Sequence, residues 1–326
     1  MSLDAEILSA LRAVGPDSVS SAELSHRLRV TRAAIWARIE ELRSLGYLIE
    51  ASPHHGYRLV EVPDVLHADD LLSLVNGNRI IGRDIRVFEE TTSTNDVVER
   101  LARDGVREGV VVFAETQTRG RGRLGRKWIS PARKGLWFSV LLRPTLSPQA
   151  ATQFTVAAAT SLVRAIRQTT SLEAEIKWPN DVLIGGKKTA GVLTELSAEL
   201  DRINHVVLGI GVDVNLGKSD LPAELRASTT SLKIESGSEI RRGDLAAALL
   251  RELERDYDLI CGGHFPVVCE EWQGRCVTLG KRVKIRIGER TVSGEAEALD
   301  DNGALLLRTE HGHLERIIGG DVTLAN

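Results

Sequence analysis

The sequence predicts an α+β chain of several units: a winged helix-turn-helix, then a mixed sheet with helices packed on it, then a small antiparallel barrel. Three observations predict this. Residues 1–65 carry helical periodicity that gives way to a hairpin pattern. Residues 66–272 hold strand-like runs that are not regularly separated by helices, and residues 273–326 are short strands with turn signals. At 326 residues and 42% hydrophobic, the chain is long enough for two or three cores.

In the first unit, Leu3, Ile7, Leu8, Leu11 and Val14 fall on one helical stripe that Gly15-Pro16 ends. Ser20, with Glu23 three residues on, makes a capping box for a second helix. Thr31 caps a third, in which Ala34, Ile35, Ile39, Leu42 and Leu45 recur at helical spacing and Gly46 suits the position after the end. Residues 47–61 read as two strands around a Pro53-His54-His55-Gly56 turn. The third helix would enter a major groove, with Arg32, Trp36 and Arg38 as the DNA contacts. Leu24 to Ile39 holds Arg27, Arg29, Arg32 and Arg38 and no acid, which suits a phosphate-facing surface. A small protein-docking domain with solvated arginines is the competing reading.

The central unit has strand-like runs at 85–90, 109–115, 135–143, 174–178, 190–196 and 205–214, and helical runs at 95–105, 150–168 and 243–262. In the last unit, turns are expected at Ile287-Gly288, Asn302-Gly303 and Gly319-Gly320.

The net charge is only −3, so the totals demand no polyanionic partner. The distribution is uneven: ten basic residues and no acid lie between Thr116 and Leu172. Cys261, Cys269 and Cys276 are three in number without C-x-x-C spacing, which speaks against a disulfide framework and a zinc site. No basic leader precedes an apolar stretch and no apolar run approaches ~18 residues, so a cytoplasmic protein without a membrane partner is expected.

Thr118 to Trp128 reads TRGRGRLGRKW and contains GxGxxG after a strand. A dinucleotide turn must open a helix and be followed ~20 residues later by an acid; this loop runs into Pro131 and Gly135, and no acid occurs before Glu173. A nucleic-acid patch is the next alternative, but the loop is short and lies between hydrophobic strands. What remains is a loop whose glycines let backbone approach a ligand and whose arginines neutralise phosphate or carboxylate.

IKWPNDVLIGGKKTAGVLTE, Ile176 to Glu195, gathers Lys177, Asn180, Asp181 and Lys188 around a Gly185-Gly186 hairpin, and it lacks the glycine a P-loop needs. GIGVDVN, Gly209 to Asn215, is a strand with small residues on one side. TTSTND, Thr91 to Asp96, offers Ser93, Thr94 and Asn95 at a helix N-terminus, where plain capping is the simpler reading.

Taken together and in this order, these four motifs resemble the biotin protein ligases. With the N-terminal unit, the chain resembles their bifunctional type, the biotin operon repressors that are also biotin-acetyl-CoA-carboxylase ligases. The resemblance spans essentially the whole chain, and GRGRLGRKW and KWPND are its most specific elements. It implies a catalytic domain like those of class II aminoacyl-tRNA synthetases and an SH3-like C-terminal barrel.

By position, it implies that Ser93, Thr94, Asn95 and Gln117 line the biotin ring and ureido pocket, and that Gly120, Arg121, Gly122 and Arg123 fold over the side chain and phosphate. Trp128 would pack on adenine. Lys177 would stand beside the reacting carboxylate and α-phosphate, with Asn180 and Lys188 on the nucleotide side. Lys177 and Arg121 would be catalytic, and Asp181 would help the acceptor amine lose its proton. Three positions depart from the family pattern: Leu124 replaces a second consecutive arginine, Arg119 a usually small residue, and Asp213 an asparagine near the adenine.

The implied substrates are biotin and ATP with Mg²⁺, and biotinyl-5′-AMP is the implied intermediate and co-repressor. The implied partners are a biotin carboxyl carrier protein, operator DNA and a second copy of the chain when adenylate is bound. A lipoate ligase, a ligand-sensing regulator without ligase activity and a ligase without DNA function are the alternatives. The motifs, intact Lys177 and Arg121, and residues 1–65 disfavour them in turn.

Overall fold

The computed structural model describes residues 2–52, 55–75 and 77–324, so Pro53 and His54 of the expected turn lie outside the described residues. The N-terminal unit comprises α1 (Leu3–Ala13), α2 (Ser21–Leu28), α3 (Arg32–Ser44) and the antiparallel hairpin β1 (Leu48–Ser52) and β2 (Gly56–Glu61). Its caps are those the sequence announces. Ser20 Oγ accepts from Glu23 N at 3.0 Å, Thr31 Oγ1 accepts from Ala34 N at 3.2 Å, and Gly46 follows α3 at φ +97°. Ile7, Leu8, Leu11, Leu24, Ile35 and Ile39 are fully buried in its separate core.

A linker leads to α4 (Ala68–Leu74), which the sequence reading did not anticipate and which packs against α1. Arg12 joins Asp70 at 2.5 Å and also binds Ser73. The linker itself is tied to the central unit. Arg242, fully buried, pairs with Glu115 at 2.5 Å and Asp64 at 3.1 Å, and Leu66 N donates to Glu115 at 2.9 Å. A buried guanidinium is tolerated only with such partners.

The central unit follows as β3 (Asp84–Thr91), α5 (Thr94–Arg103), β4 (Val110–Gln117), β5 (Gly135–Leu142), α6 (Ala151–Thr170), β6 (Glu175–Lys177), β7 (Asp181–Ile184), β8 (Lys187–Ala198), β9 (Ile203–Asp213), α7 (Leu232–Ser236), α8 (Arg242–Cys261) and α9 (Phe265–Arg275). Its sheet runs β3-β4-β5-β9-β8-β7-β6, and only β3 and β4 are parallel, so the sheet is mixed as predicted. On β9, Val206, Leu208, Ile210 and Val212 face the large core with α6 and α8, while Val207 packs on the opposite face under Val98 of α5. Gly209, Gly211 and Asp213 continue Val207's side and leave room there.

The expected joint at 272/273 falls inside α9, whose Phe265, Val268, Cys269 and Trp272 are buried at helical spacing. Beyond it, Cys276 bridges to Ile176, and Thr278 Oγ1 accepts from Trp178 N at 3.0 Å, so the next unit is fastened beside Lys177.

The last unit has β10 (Arg282–Ile287), β11 (Arg290–Leu299), β12 (Leu305–Thr309), β13 (Leu314–Ile317) and β14 (Asp321–Leu324). They form an antiparallel sheet ordered β13-β12-β11-β10-β14. The three cysteines are unpaired, and no helix among the described residues is long and apolar enough to cross a membrane.

Candidate active site

A cavity of about 290 Å³ opens on the glycine side of β9. Ser93, Thr94, Asn95, Gln117, Arg121, Gly122, Arg123, Trp128, Lys177, Asn180, Asp181, Lys188 and Asp213 all line it, so motifs spread over 121 positions meet at one place. Gly120 lies just outside, in the adjoining groove under the flap loop.

The floor is a row of missing side chains. Register sets Trp137 opposite Gly211 and Gly211 opposite Gly191, and in the next row Ser139 opposite Gly209. A Cβ on Gly209 would stand 2.2 Å from Asn95 Oδ1, and one on Gly191 3.0 Å from the Trp128 ring. Gly209 is therefore required by space and Gly191 sits tightly against the ring, neither being called for by backbone conformation.

At one end, α5 presents its N-terminus. The Ser93 side chain makes no cap hydrogen bond, contrary to the plain capping reading, and Ser93, Thr94 and Asn95 are all buried. Thr94 N donates to Gln117 Oε1 at 2.9 Å, and Gln117 Nε2 donates to Ser130 Oγ at 2.9 Å. Ser139 Oγ donates to Asn95 Oδ1 at 2.5 Å, and Asn95 Nδ2 donates to Glu195 Oε2 at 2.7 Å. Ser139 and Glu195 were not singled out in the sequence. Period-two facing on β5 and β8 was the only signal that could have found them.

The loop from Gly120 folds back as a flap. Gly122 N donates to Arg126 O at 2.7 Å, Arg121 bridges to Lys127, and a 3₁₀ turn covers Arg123–Gly125. No α-helix follows, which is why its GxGxxG spacing is not a dinucleotide turn. Leu124, 67% exposed, adopts φ +56°, a conformation that costs a non-glycine residue roughly 1 kcal/mol or more. Trp128 returns to the floor, edge-on to Trp137 at 6.2 Å with Lys188 Nζ 5.2 Å above its ring.

The expected concentration of positive charge is only partly free. Arg121 is held by Glu195 and Asp96 at 2.8 Å each, Arg126 by Asp321 at 2.5 Å, and Arg164 lies among Glu252, Asp256 and Glu271. Acids distant in sequence thus offset part of the charge of the acid-free stretch. Three cations lining the cavity differ: Lys127, exposed, and Lys177, half-buried, make no ion pair among the described residues, and Arg123 has only Asn180 Oδ1 at 3.2 Å. Burial pulls the Arg123 guanidinium below the usual arginine pKa, with Asp181 and Asp321 opposing.

On the edge strands, Lys177 stands opposite Asp181, which pairs with Lys188 at 2.5 Å. Asn180 Nδ2 donates to Val192 O at 2.7 Å. Gly185 and Gly186, at φ +56° and +76°, make the expected hairpin between β7 and β8. Burial pushes the Asp213 carboxyl up to about 8, with Lys188 only partly opposing. Its protonated form is therefore favoured near neutral pH.

On the helix-turn-helix, Trp36 is 58% exposed, and Arg32 is exposed with no ion pair among the described residues. Arg38 differs from the expectation. Its Nε donates to Asp4 Oδ1 at 2.6 Å and its Nη1 to Glu41 at 2.7 Å, and the Asp4 hydrogen bond is the main cause of its raised pKa. The nearly buried Asp4 carboxylate requires that partner, so Arg38 is committed inside the unit.

Fold and site together define a class: a ligand-binding catalytic domain fused behind a winged helix and capped by a small sheet. The Biotin/lipoate A/B protein ligase family matches residues 87–213, the biotin protein ligase C-terminal domain 278–324, and an HTH domain 5–58. The chain is 36% identical over 324 residues to the bifunctional ligase/repressor BirA of Bacillus spizizenii, covering 98% of each. With BirA of Escherichia coli it shares 29% over 306 residues, 94% of this chain and 92% of that one. The Aquifex aeolicus biotin protein ligase in complex with biotin and ATP superposes with a TM-score of 0.63 at 30% identity, covering 74% of this chain and 99% of that chain. This chain belongs to the bifunctional biotin ligase/repressor family.

Proposed function

We propose that the chain is an ATP-dependent biotin protein ligase that also represses transcription, with biotinyl-5′-AMP as both intermediate and co-repressor. The observation that carries the chemistry is Lys177, a half-buried ammonium lining the cavity with no carboxylate paired to it among the described residues. It is available for the negative charge of a substrate.

Biotin lies against Ser93, Thr94, Asn95 and Gln117, with Gly120, Gly122 and the flap above, and the adenine packs on Trp128 near Asp213. Biotin's carboxylate, already ionised, attacks the α-phosphate of ATP; the bond to the leaving pyrophosphate breaks and biotinyl-5′-AMP forms. No general base is needed. Lys177 and Arg123 stabilise charge as it moves to pyrophosphate, with Asn180 and Lys188 on the nucleotide side. Arg121 joins them only after leaving its two carboxylates. Mg²⁺ enters with the triphosphate as part of the substrate, which needs few protein ligands.

In the second step, a lysine amine of a biotin carboxyl carrier protein attacks the acyl carbonyl, AMP leaves, and the amine loses a proton. Asp181, opposite Lys177, is the proposed acceptor. A closed flap would exclude water from the reactive anhydride. We further infer that the adenylate-ordered loops complete a dimer surface that presents two winged helices to a two-fold operator, with Arg32 and Trp36 toward the DNA.

Incubation with biotin, ATP, Mg²⁺ and a carrier domain, followed by mass measurement of the carrier, tests the ligase. One biotinyl increment is expected, and no gain overturns it. Lipoate in place of biotin decides between the two acids of the family. Operator affinity that does not change with biotin and ATP would overturn the co-repressor reading.

A further inference from the structure

Glu195 belongs to no functional role assigned above, yet the acid pocket and the flap meet on it. Its Oε2 accepts from Asn95 Nδ2 at 2.7 Å and from Arg121 Nη2 at 2.8 Å, and its Oε1 accepts from Arg121 Nη1 at 2.8 Å. The Arg121–Glu195 pair is thus a two-point fork that joins flap to sheet. Arg121 Nη2 also lies 2.8 Å from Asp96 Oδ1, one residue after Asn95. Asn95 Oδ1 is taken by Ser139, so Glu195 and Ser139 between them dictate which way the amide points.

We propose that Glu195 is a positioning residue for the ligase reaction: one carboxylate orients the Asn95 amide in the acid pocket and docks the flap through Arg121. Recognition of the acid and closure over the intermediate then share an anchor. This rests on the ligase reading above. Arg121 and Glu195 are 41% and 35% exposed, so their attraction is modest and weakened by salt. That suits a latch that must open for ATP, pyrophosphate and the carrier lysine, whereas a buried pair would hold the flap shut.

The two roles separate by chemistry. Glu195→Gln keeps an oxygen for Asn95 but loses the charge that holds Arg121; Glu195→Ala loses both. Asp96→Asn weakens the hold on Arg121 without touching Asn95 or Glu195, and keeps an oxygen for Thr92 Oγ1, which lies 3.5 Å from Asp96 Oδ2. The test measures KM for biotin by pyrophosphate exchange and the release rate of preformed biotinyl-5′-AMP at low and high salt, on the full chain. Wild-type release should speed up with salt. Glu195→Gln should keep KM for biotin within about threefold, release adenylate about tenfold faster, and show a weaker salt response, since only Asp96 still holds Arg121, a change of the size expected for one charge-assisted bond. Glu195→Ala should also raise KM for biotin. Asp96→Asn should speed release with KM unchanged, which keeps the proposal testable if a Glu195 variant fails to fold. Release by Glu195→Gln and Asp96→Asn that matches wild type at every salt concentration overturns the proposal, as does a Gln variant whose KM rises as far as Ala's. Wild type that exchanges no pyrophosphate with biotin strikes the ligase reading instead.

Discussion

The indole of Trp128 lies directly on Gly211: a Cβ at that glycine would stand 2.6 Å from Cε2 of the ring. The proposed adenine platform therefore exists only because one β9 residue has no side chain. Gly211→Ala should lift the indole and weaken ATP roughly two- to tenfold, the value of an aromatic contact of about 0.5–1.5 kcal/mol. Gly209→Ala, which would strike Asn95, should raise KM for biotin instead. Separate titrations of the two substrates in pyrophosphate exchange check the split, and identical profiles would refute it.

Lys177 is a half-buried cavity cation with no counter-ion among the described residues. Lys177→Ala should slow adenylate formation by about 10²–10³, the usual loss for one preorganised charge stabiliser. Lys177→Arg should recover only part, because a planar guanidinium does not replace a compact ammonium. Pre-steady-state formation of the adenylate measures both, and an Ala variant of wild-type rate removes Lys177 from the chemistry.

Asp213 makes stability depend on pH in a direction unusual for a carboxyl. Below about pH 4 it is protonated folded and unfolded alike. Between there and its folded value of about 8, only the unfolded chain ionises, so its contribution is lost as pH rises, by up to about 1.4 kcal/mol per pH unit. Above that value the loss is complete. Asp213→Asn should flatten urea-midpoint curves across this window, and an unchanged slope would mean that the carboxyl ionises normally.

The DNA face should divide. Arg32→Ala, at an exposed and unpaired residue, should weaken operator binding and lower the salt slope by about one. Arg38→Ala strands the Asp4 carboxylate and should instead cost about 1–3 kcal/mol of folding stability. Fluorescence anisotropy on operator DNA, with thermal melts of the same proteins, separates the two effects.

Local rules carried the fold a long way. Ser20, Thr31 and Gly46 cap where their side chains and conformations require, and the glycine pair on β9 lies at period-two spacing on one face. α9 was missed although Phe265, Val268, Cys269 and Trp272 spell it out, because its stripe is short and runs across the expected joint.

Pairings over long separations were not readable. Arg38 looked free because Asp4 lies 34 positions away, and the flap looked highly charged because Asp321 lies 195 positions from Arg126. Glu195 was invisible for the same reason, with Asn95 and Arg121 at separations of 100 and 74. By itself the sequence determined the units and the caps, since periodicity and turn chemistry act over a few positions, while the residues expected at the cavity came from the resemblance to the biotin protein ligases. Only the tertiary structure decided which charges stay available. A charge's partner is set by distance in space, so Lys177 remained open to a substrate while Arg121 closed onto Glu195.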